Sequence, residues 1–256
     1  MEIDDYRSFF FDLDKTLWNW DEKIIGAEDT IISLKGAGKK VYFHTDNTLL
    51  TREGYAKKLT SMGIEADKEH VITSGYAVAK HLEEKDVTKV YAIGETGLID
   101  ELQEHDINVT KDADIVVVGF DRQFSYSKLK RAHQILKDQG DLYLCSTEDT
   151  FRTSINGQPH QGPLNQAFKK FGEPKVAGKP GEIFRRQFEN YFSYFNNRSL
   201  FVGDRLADIE TGNRLGMKTA AVMSGDINKE KLENAENMQI PDYGISHLAK
   251  LKRRVL

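Results

Sequence analysis

Cysteine is nearly missing from this 256-residue chain, where Cys145 stands alone. A disulfide framework and a cysteine-rich zinc site are both excluded. No apolar run approaches the roughly 20 residues that a membrane-spanning helix requires, and the N-terminus lacks the pattern of a signal peptide. Positive charge is not in excess either. Lys and Arg total 36 against 40 Asp and Glu, for a formal net charge of −4, which argues against a nucleic-acid-binding surface. The basic cluster Lys252 to Arg254 is expected at the C-terminus of a helix, where it complements the dipole. These absences leave a soluble, cytoplasmic protein with no nucleic-acid or membrane partner as the expectation.

What is present fits that frame. Hydrophobic residues at 39% and charged residues at 30% describe an ordinary globular protein, long enough for one large or two modest domains. The most informative stretch is Phe9-Phe10-Phe11-Asp12-Leu13-Asp14. Three consecutive apolar residues predict a strand buried on both faces. It stops in two acids one residue apart, whose side chains start on one face of an extended chain. Like charges this close to a buried strand need a proton or a cation to compensate them. A lone Asp-x-Asp is commonly a solvated turn or a helix cap, so the other strand ends decide the matter.

The second strand, Lys40–Thr45, runs into Asp46-Asn47-Thr48. This is either an ordinary turn with Thr51 capping the next helix, or a cradle of hydroxyl, amide and backbone N–H groups for phosphate oxygens. Alternation continues with a strand at 71–73, a Ser74-capped helix, strands at 89–93 and 113–119, a helix at 126–139 and a strand at 142–145. A polar loop covers Ser146 to Gln161, a helix starts near Pro163, and a short strand ends at Lys179. The apolar strand Ser199–Gly203 then repeats the opening pattern, ending in Asp204, with Asp208 four residues on. As helix N-terminal charges these two acids have a plainer explanation. Strand–helix alternation throughout predicts a doubly wound, Rossmann-like parallel α/β sheet, which binds ligands at the carboxyl ends of its strands. Acids for a cation, one lysine for an anion and several hydroxyls meet at those ends, a set suited to a metal-bound phosphate. The stretch between Thr45 and Lys179 far exceeds a βα crossover. It therefore carries an inserted α/β domain at about 76–174 on a core of 1–75 and 175–256.

The four strand ends, in order, resemble the four motifs of the haloacid dehalogenase superfamily, in the NagD-like or 4-nitrophenylphosphatase branch that carries its cap between the second and third motifs. The likeness extends to Thr51–Leu59, Val118–Tyr126 and Val176–Phe184. It implies a phosphatase of small phosphate monoesters such as sugar, polyol or aryl phosphates, with Asp12 as nucleophile and Asp14 as general acid and base. Thr45 and Lys179 would hold the phosphoryl group, with Asp46 and Asn47 completing the cradle. Asp12, Asp14 (through its carbonyl) and Asp204 would bind Mg²⁺, with Asp208 in support. The partner implied is a small phosphorylated metabolite, and a homodimer stays open. A phosphotransferase of the same superfamily and a catalytically silent phosphate-binding homologue are the alternatives. Three departures stand out: Lys15 where the superfamily usually has glycine, Asp46 where this branch usually has asparagine, and Ser146–Thr150 in place of an asparagine-containing cap loop.

Overall fold

The computed structural model describes residues 5–20, 22–151, 158–223 and 225–251. By their packing these divide into two compact units. The first takes the described residues up to Thr45, then Ala56–Val71, then those from Glu189 onward. The second takes Asp46–Tyr55 and Ile72–Phe188. The sequence-based division assigned 46–55, 72–75 and 175–188 to the core, whereas the compact units place them with the inserted stretch.

The first unit is built on a six-stranded sheet in the order Tyr243–Ile245, Lys218–Val222, Ser199–Gly203, Ser8–Asp12, Lys40–Thr45, Val71–Thr73. The chain leaves this unit within the last of these strands. The pairs on both sides of Ser8–Asp12 are parallel, with Phe11 beside Val202 on one side and Phe43 on the other. Phe9, Phe10 and Phe11 have no solvent exposure, so each ring contributes about 1.5–3 kcal/mol by leaving water. The strand is central because it is apolar on both faces. Succeeding strands are added first on one side of it and later on the other, so the topological switch lies at its carboxyl end, where such sheets form a ligand crevice. A two-stranded hairpin, Trp18–Asn19 with Glu22–Lys23, follows.

The second unit has its own parallel sheet, ordered Lys175–Val176, Asp141–Leu144, Ile115–Val118, Lys89–Ile93, Asn108–Val109. The doubly wound parallel α/β expectation is met in both units. Among the described residues no helix is long and apolar enough to cross a membrane. Several local expectations shift. The helix Ser74–Glu83 is capped by Thr73, whose hydroxyl accepts from Tyr76 N at 3.0 Å, rather than by Ser74. Ser74 instead donates to the Asp46 carbonyl at 2.9 Å. Asn108–Val109 and Tyr243–Ile245 are strands that the sequence does not announce, too short to show a period. The polar loop after Cys145 contains a small ladder, Thr150–Phe151 with Gln158–Pro159, and its residues 152–157 lie outside the described residues, as does Lys252–Arg254.

Candidate active site

In the first unit, Asp12 closes the central strand, and parallel register sets it directly beside His44. Paired residues on adjacent strands face the same way, which brings His44 Nδ1 to 3.6 Å from Asp12 Oδ1. That is an ion-pair distance if the imidazole is protonated. The ring has no exposure and stacks on Phe201 at 4.0 Å between centroids. Asp208 approaches from the first turn of the helix Leu206–Arg214. One ligand atom from each of Asp12, His44 and Asp208 falls within 4.8 Å of the others, all three buried. Asp208 is also oriented locally: its Oδ2 accepts from Arg205 N at 2.9 Å. The close approach requires Gly203, since a Cβ there would lie 2.4 Å from the Asp208 carboxylate.

Asp204, only 1% exposed, ends the neighbouring strand and is cradled by the chain just past the next one. Its Oδ2 accepts from Asp226 N at 2.9 Å, and its carbonyl accepts from Ile227 N at 2.8 Å. Gly225 lies against the same carboxylate, where a Cβ would meet Oδ2 at 2.1 Å. Asp14 is half-buried, and its Oδ1 accepts from the indole Nε1 of Trp18 at 2.9 Å. From Leu13 onward the chain turns back on itself, with the Leu13 carbonyl accepting from Leu17 N at 2.8 Å. Lys15 sits in that turn at φ 62°, a left-handed conformation that costs a residue with a Cβ roughly 1–2 kcal/mol. Glycine escapes that cost, which gives the first departure from the superfamily pattern a physical meaning. Thr45 is buried at the end of its strand.

The remaining expected site residues belong to the second unit. Asp46 is buried, and its Oδ1 accepts from the backbone N of Lys179 at 3.0 Å. The charge at the second departure therefore fastens the 178–179 turn. Asn47 forms an Asx turn, accepting from Leu49 N at 3.0 Å, and its carbonyl accepts from the Tyr55 hydroxyl at 3.0 Å. Lys179 is fully buried. Cys145 sits in the same neighbourhood, its carbonyl so near Gly178 that a Cβ there would meet it at 2.2 Å. Burial, aided by the Asp46 charge, pushes its thiol pKa well above the ordinary value.

At the carboxyl edge of the second sheet, Asp121 is held by Lys128 Nζ at 2.6 Å. Arg122 grips Glu95 through two nitrogens at 2.8 and 2.6 Å. That fork keeps the Glu95 carboxyl below its usual pKa. Ser146 is tied down as well, its Oγ accepting from Glu148 N at 3.1 Å and its carbonyl accepting from Asn165 Nδ2 at 2.8 Å.

The structure thus gathers Asp12 and Asp208, and it adds His44, which sequence reasoning missed. Asp204 and Asp14 lie at the same strand ends with separate anchors. Sequence could flag His44 only as an imidazole next to Thr45 at the end of a strand read as buried. Two buried carboxylates with an imidazole nearby can hold a cation or share a proton. A carboxylate there that is freed to act on an electrophile is also a nucleophile.

Comparison with known proteins yields the following matches. Residues 9–108 match the family model described as haloacid dehalogenase-like hydrolase, and residues 176–251 match a second, HAD-like hydrolase model. The chain is 30% identical to chloroplastic phosphoglycolate phosphatase 1A of Arabidopsis thaliana, covering 96% of this chain and 76% of that protein. It is also 30% identical to the 5'-nucleotidase YutF of Bacillus subtilis, covering 96% and 97%. Among solved structures, the 4-nitrophenylphosphatase of Thermotoga maritima superposes with a TM-score of 0.89 at 26% identity, covering 100% of both chains.

Proposed function

From a chain that belongs to the haloacid dehalogenase-like hydrolases and is a phosphoric monoester hydrolase, we propose a Mg²⁺-dependent phosphatase of small phosphorylated metabolites, working through an aspartyl-phosphate on Asp12. The observation that carries this reading is the buried approach of Asp12 to Asp208, with ligand atoms within 4.8 Å. Two carboxylates so placed call for a compensating cation. The oxygen donors fit Mg²⁺, which takes carboxylates and retains water. The imidazole does not belong to that donor class, and His44 is read as the side chain that orients Asp12. Asp204, with Asp12 and the Asp14 carbonyl, would complete the oxygen set, and Asp208 supports it.

When bound, the ion would neutralise charge on the phosphoryl oxygens. Everything else falls to the chain's own residues. Asp12 attacks phosphorus and the ester oxygen departs, splitting hydrolysis into two easier steps. Asp14 gives its proton to that leaving oxygen and later takes one from the attacking water. Thr45 and Lys179 hold the phosphoryl group, and backbone N–H groups around Asp46 and Asn47 extend the cradle. The inserted stretch, about 76–174, acts as a cap that excludes water and meets the leaving group. Phosphoglycolate, 5'-nucleotides and 4-nitrophenyl phosphate, the compounds named by its relatives, all belong to the substrate class proposed here.

Chelation is the direct test. Phosphate release from 4-nitrophenyl phosphate should stop in excess chelator and return when Mg²⁺ is restored, and Asp204→Asn should need far more Mg²⁺ for half-maximal rate. Full turnover with the metal removed would overturn the metal-dependent mechanism.

The indole contact of Asp14 allows a finer measurement. Trp18→Phe keeps most of the ring volume, whose face is covered by Lys58 Nζ at 4.6 Å, but deletes the donor to Asp14. Turnover of an alkyl phosphate, which needs a proton on its leaving oxygen, should fall about tenfold or more. Turnover of 4-nitrophenyl phosphate, with its stable leaving anion, should change far less. Equal losses on both substrates would mean that Trp18 does not position the acid.

A further inference from the structure

Lys15 makes a second contact whose purpose the catalytic scheme does not supply. Its side chain is only 2% exposed, and its Nζ lies 3.4 Å from Asp226 Oδ1. Asp226 is the residue whose backbone N donates to Asp204 Oδ2 at 2.9 Å. Gly225, one residue before, abuts the same carboxylate, and Ile227, one residue after, bonds the Asp204 carbonyl at 2.8 Å. Three consecutive residues therefore cradle Asp204, and the middle one is fastened by a lysine in the turn that follows Asp14. Gly225, Asp226 and Ile227 lie in no helix or strand, so the position of the cradle depends on such contacts. A left-handed backbone at Lys15 would be better served by glycine. A strained residue persists where its surroundings hold it and is a pointer to function.

We propose that Lys15 and Asp226 form an ionic strut that fixes the Gly225–Ile227 cradle and, through it, the direction of the Asp204 carboxylate, so that Lys15 is a positioning residue for divalent-metal binding. The strut does not touch substrate and takes no part in the chemistry. It joins the loop after the first strand to the loop after Lys218–Val222. The proposal rests on the reading of Asp204 as a metal carboxylate.

The test is Mg²⁺ titration of chelator-stripped full-length protein, read as thermal stabilisation without substrate, since a ligand that binds only the folded state raises stability with its concentration over Kd. Lys15→Gly should raise the Mg²⁺ Kd about tenfold or more, while the melting temperature of the metal-free protein stays level or rises because the backbone strain is relieved. A merely structural lysine would move both in the destabilising direction. Lys15→Met and Asp226→Asn should each weaken Mg²⁺ to a similar degree, and combining them should add little, as for two members of one contact. Lys15→Arg, which can still reach a carboxylate, should remain within about threefold of wild type. At saturating Mg²⁺ the kcat of Lys15→Met should stay within about threefold of wild type.

Unchanged or tighter Mg²⁺ binding in Lys15→Gly and Lys15→Met overturns the strut. Asp204→Asn serves as the control. If it binds Mg²⁺ as wild type does, the metal reading of Asp204 itself falls, and the strut with it. If it is weakened while the Lys15 variants are not, only the strut falls.

Discussion

Asp12→Asn should lower phosphate release by about 10⁴-fold or more, the scale seen when an enzyme loses its nucleophile, while the fold survives. The amide is nearly isosteric, and the strand that carries Asp12 keeps its ladders to Ser199–Gly203 and Lys40–Thr45. Removing one of two neighbouring buried charges also relieves a repulsion. In the metal-free protein the melting temperature should therefore hold steady or increase, a separation of activity from stability common at strained sites. The comparison needs only a turnover assay and thermal unfolding followed by circular dichroism. Near-normal phosphate release from a natively folded variant would remove Asp12 from the role of nucleophile.

The second large effect concerns stability. Arg52 Nε meets Glu101 Oε1 at 2.7 Å, the Arg52 backbone N donates to Oε2 at 3.1 Å, and the guanidinium lies 3.9 Å above the Tyr76 ring. Glu101 is 1% exposed. Arg52→Met strands that carboxylate away from water, and breaking a buried pair on one side typically costs about 3–5 kcal/mol. For a protein of this size the loss corresponds to roughly 6–20 °C in melting temperature. The double variant Arg52→Met with Glu101→Leu should recover much of it, because an apolar pair of similar volume escapes the desolvation cost. Hydrogen exchange across the helix Thr96–Glu104 would locate the damage. A loss below about 1 kcal/mol in the single variant would mean that Glu101 finds water or another partner.

Those two sites mark the limits of what the sequence discloses. Phe9 to Phe11 could be assigned to a buried parallel strand because burial on both faces leaves a continuous apolar run, and the acids that follow stand out against it. The same logic identified Ser199–Gly203 and the strand that ends at Thr45, whereas the short strand expected to end at Lys179 stops at Val176. His44 was hidden by its surroundings: inside a buried strand it occupies a position indistinguishable from core until the register sets it beside Asp12. The choice of Thr73 over Ser74 as helix cap turned on one residue's backbone conformation, and adjacent hydroxyls carry no sequence signal for that.

The placement of Asp46–Tyr55 with the second unit was less accessible still. It depends on Thr48 Oγ1 accepting from Phe120 N at 2.9 Å, on Arg52 meeting Glu101, and on Gly97, where any Cβ would come within 2.4 Å of the Leu49 backbone. Each links residues far apart in the chain, where local periodicity is silent. The contact between Asp46 and the Lys179 amide is hidden for the same reason, since it joins residues 133 positions apart.

Cys145 gives the molecule a built-in clock. Its thiol has no exposure, and burial holds it protonated, while modification by an alkylating reagent requires an accessible thiolate. With no second cysteine to compete, labelling can proceed only when the strand Asp141–Leu144 and its surroundings open. The modification rate of the intact protein thus reports how often the structure opens around this one sulfur.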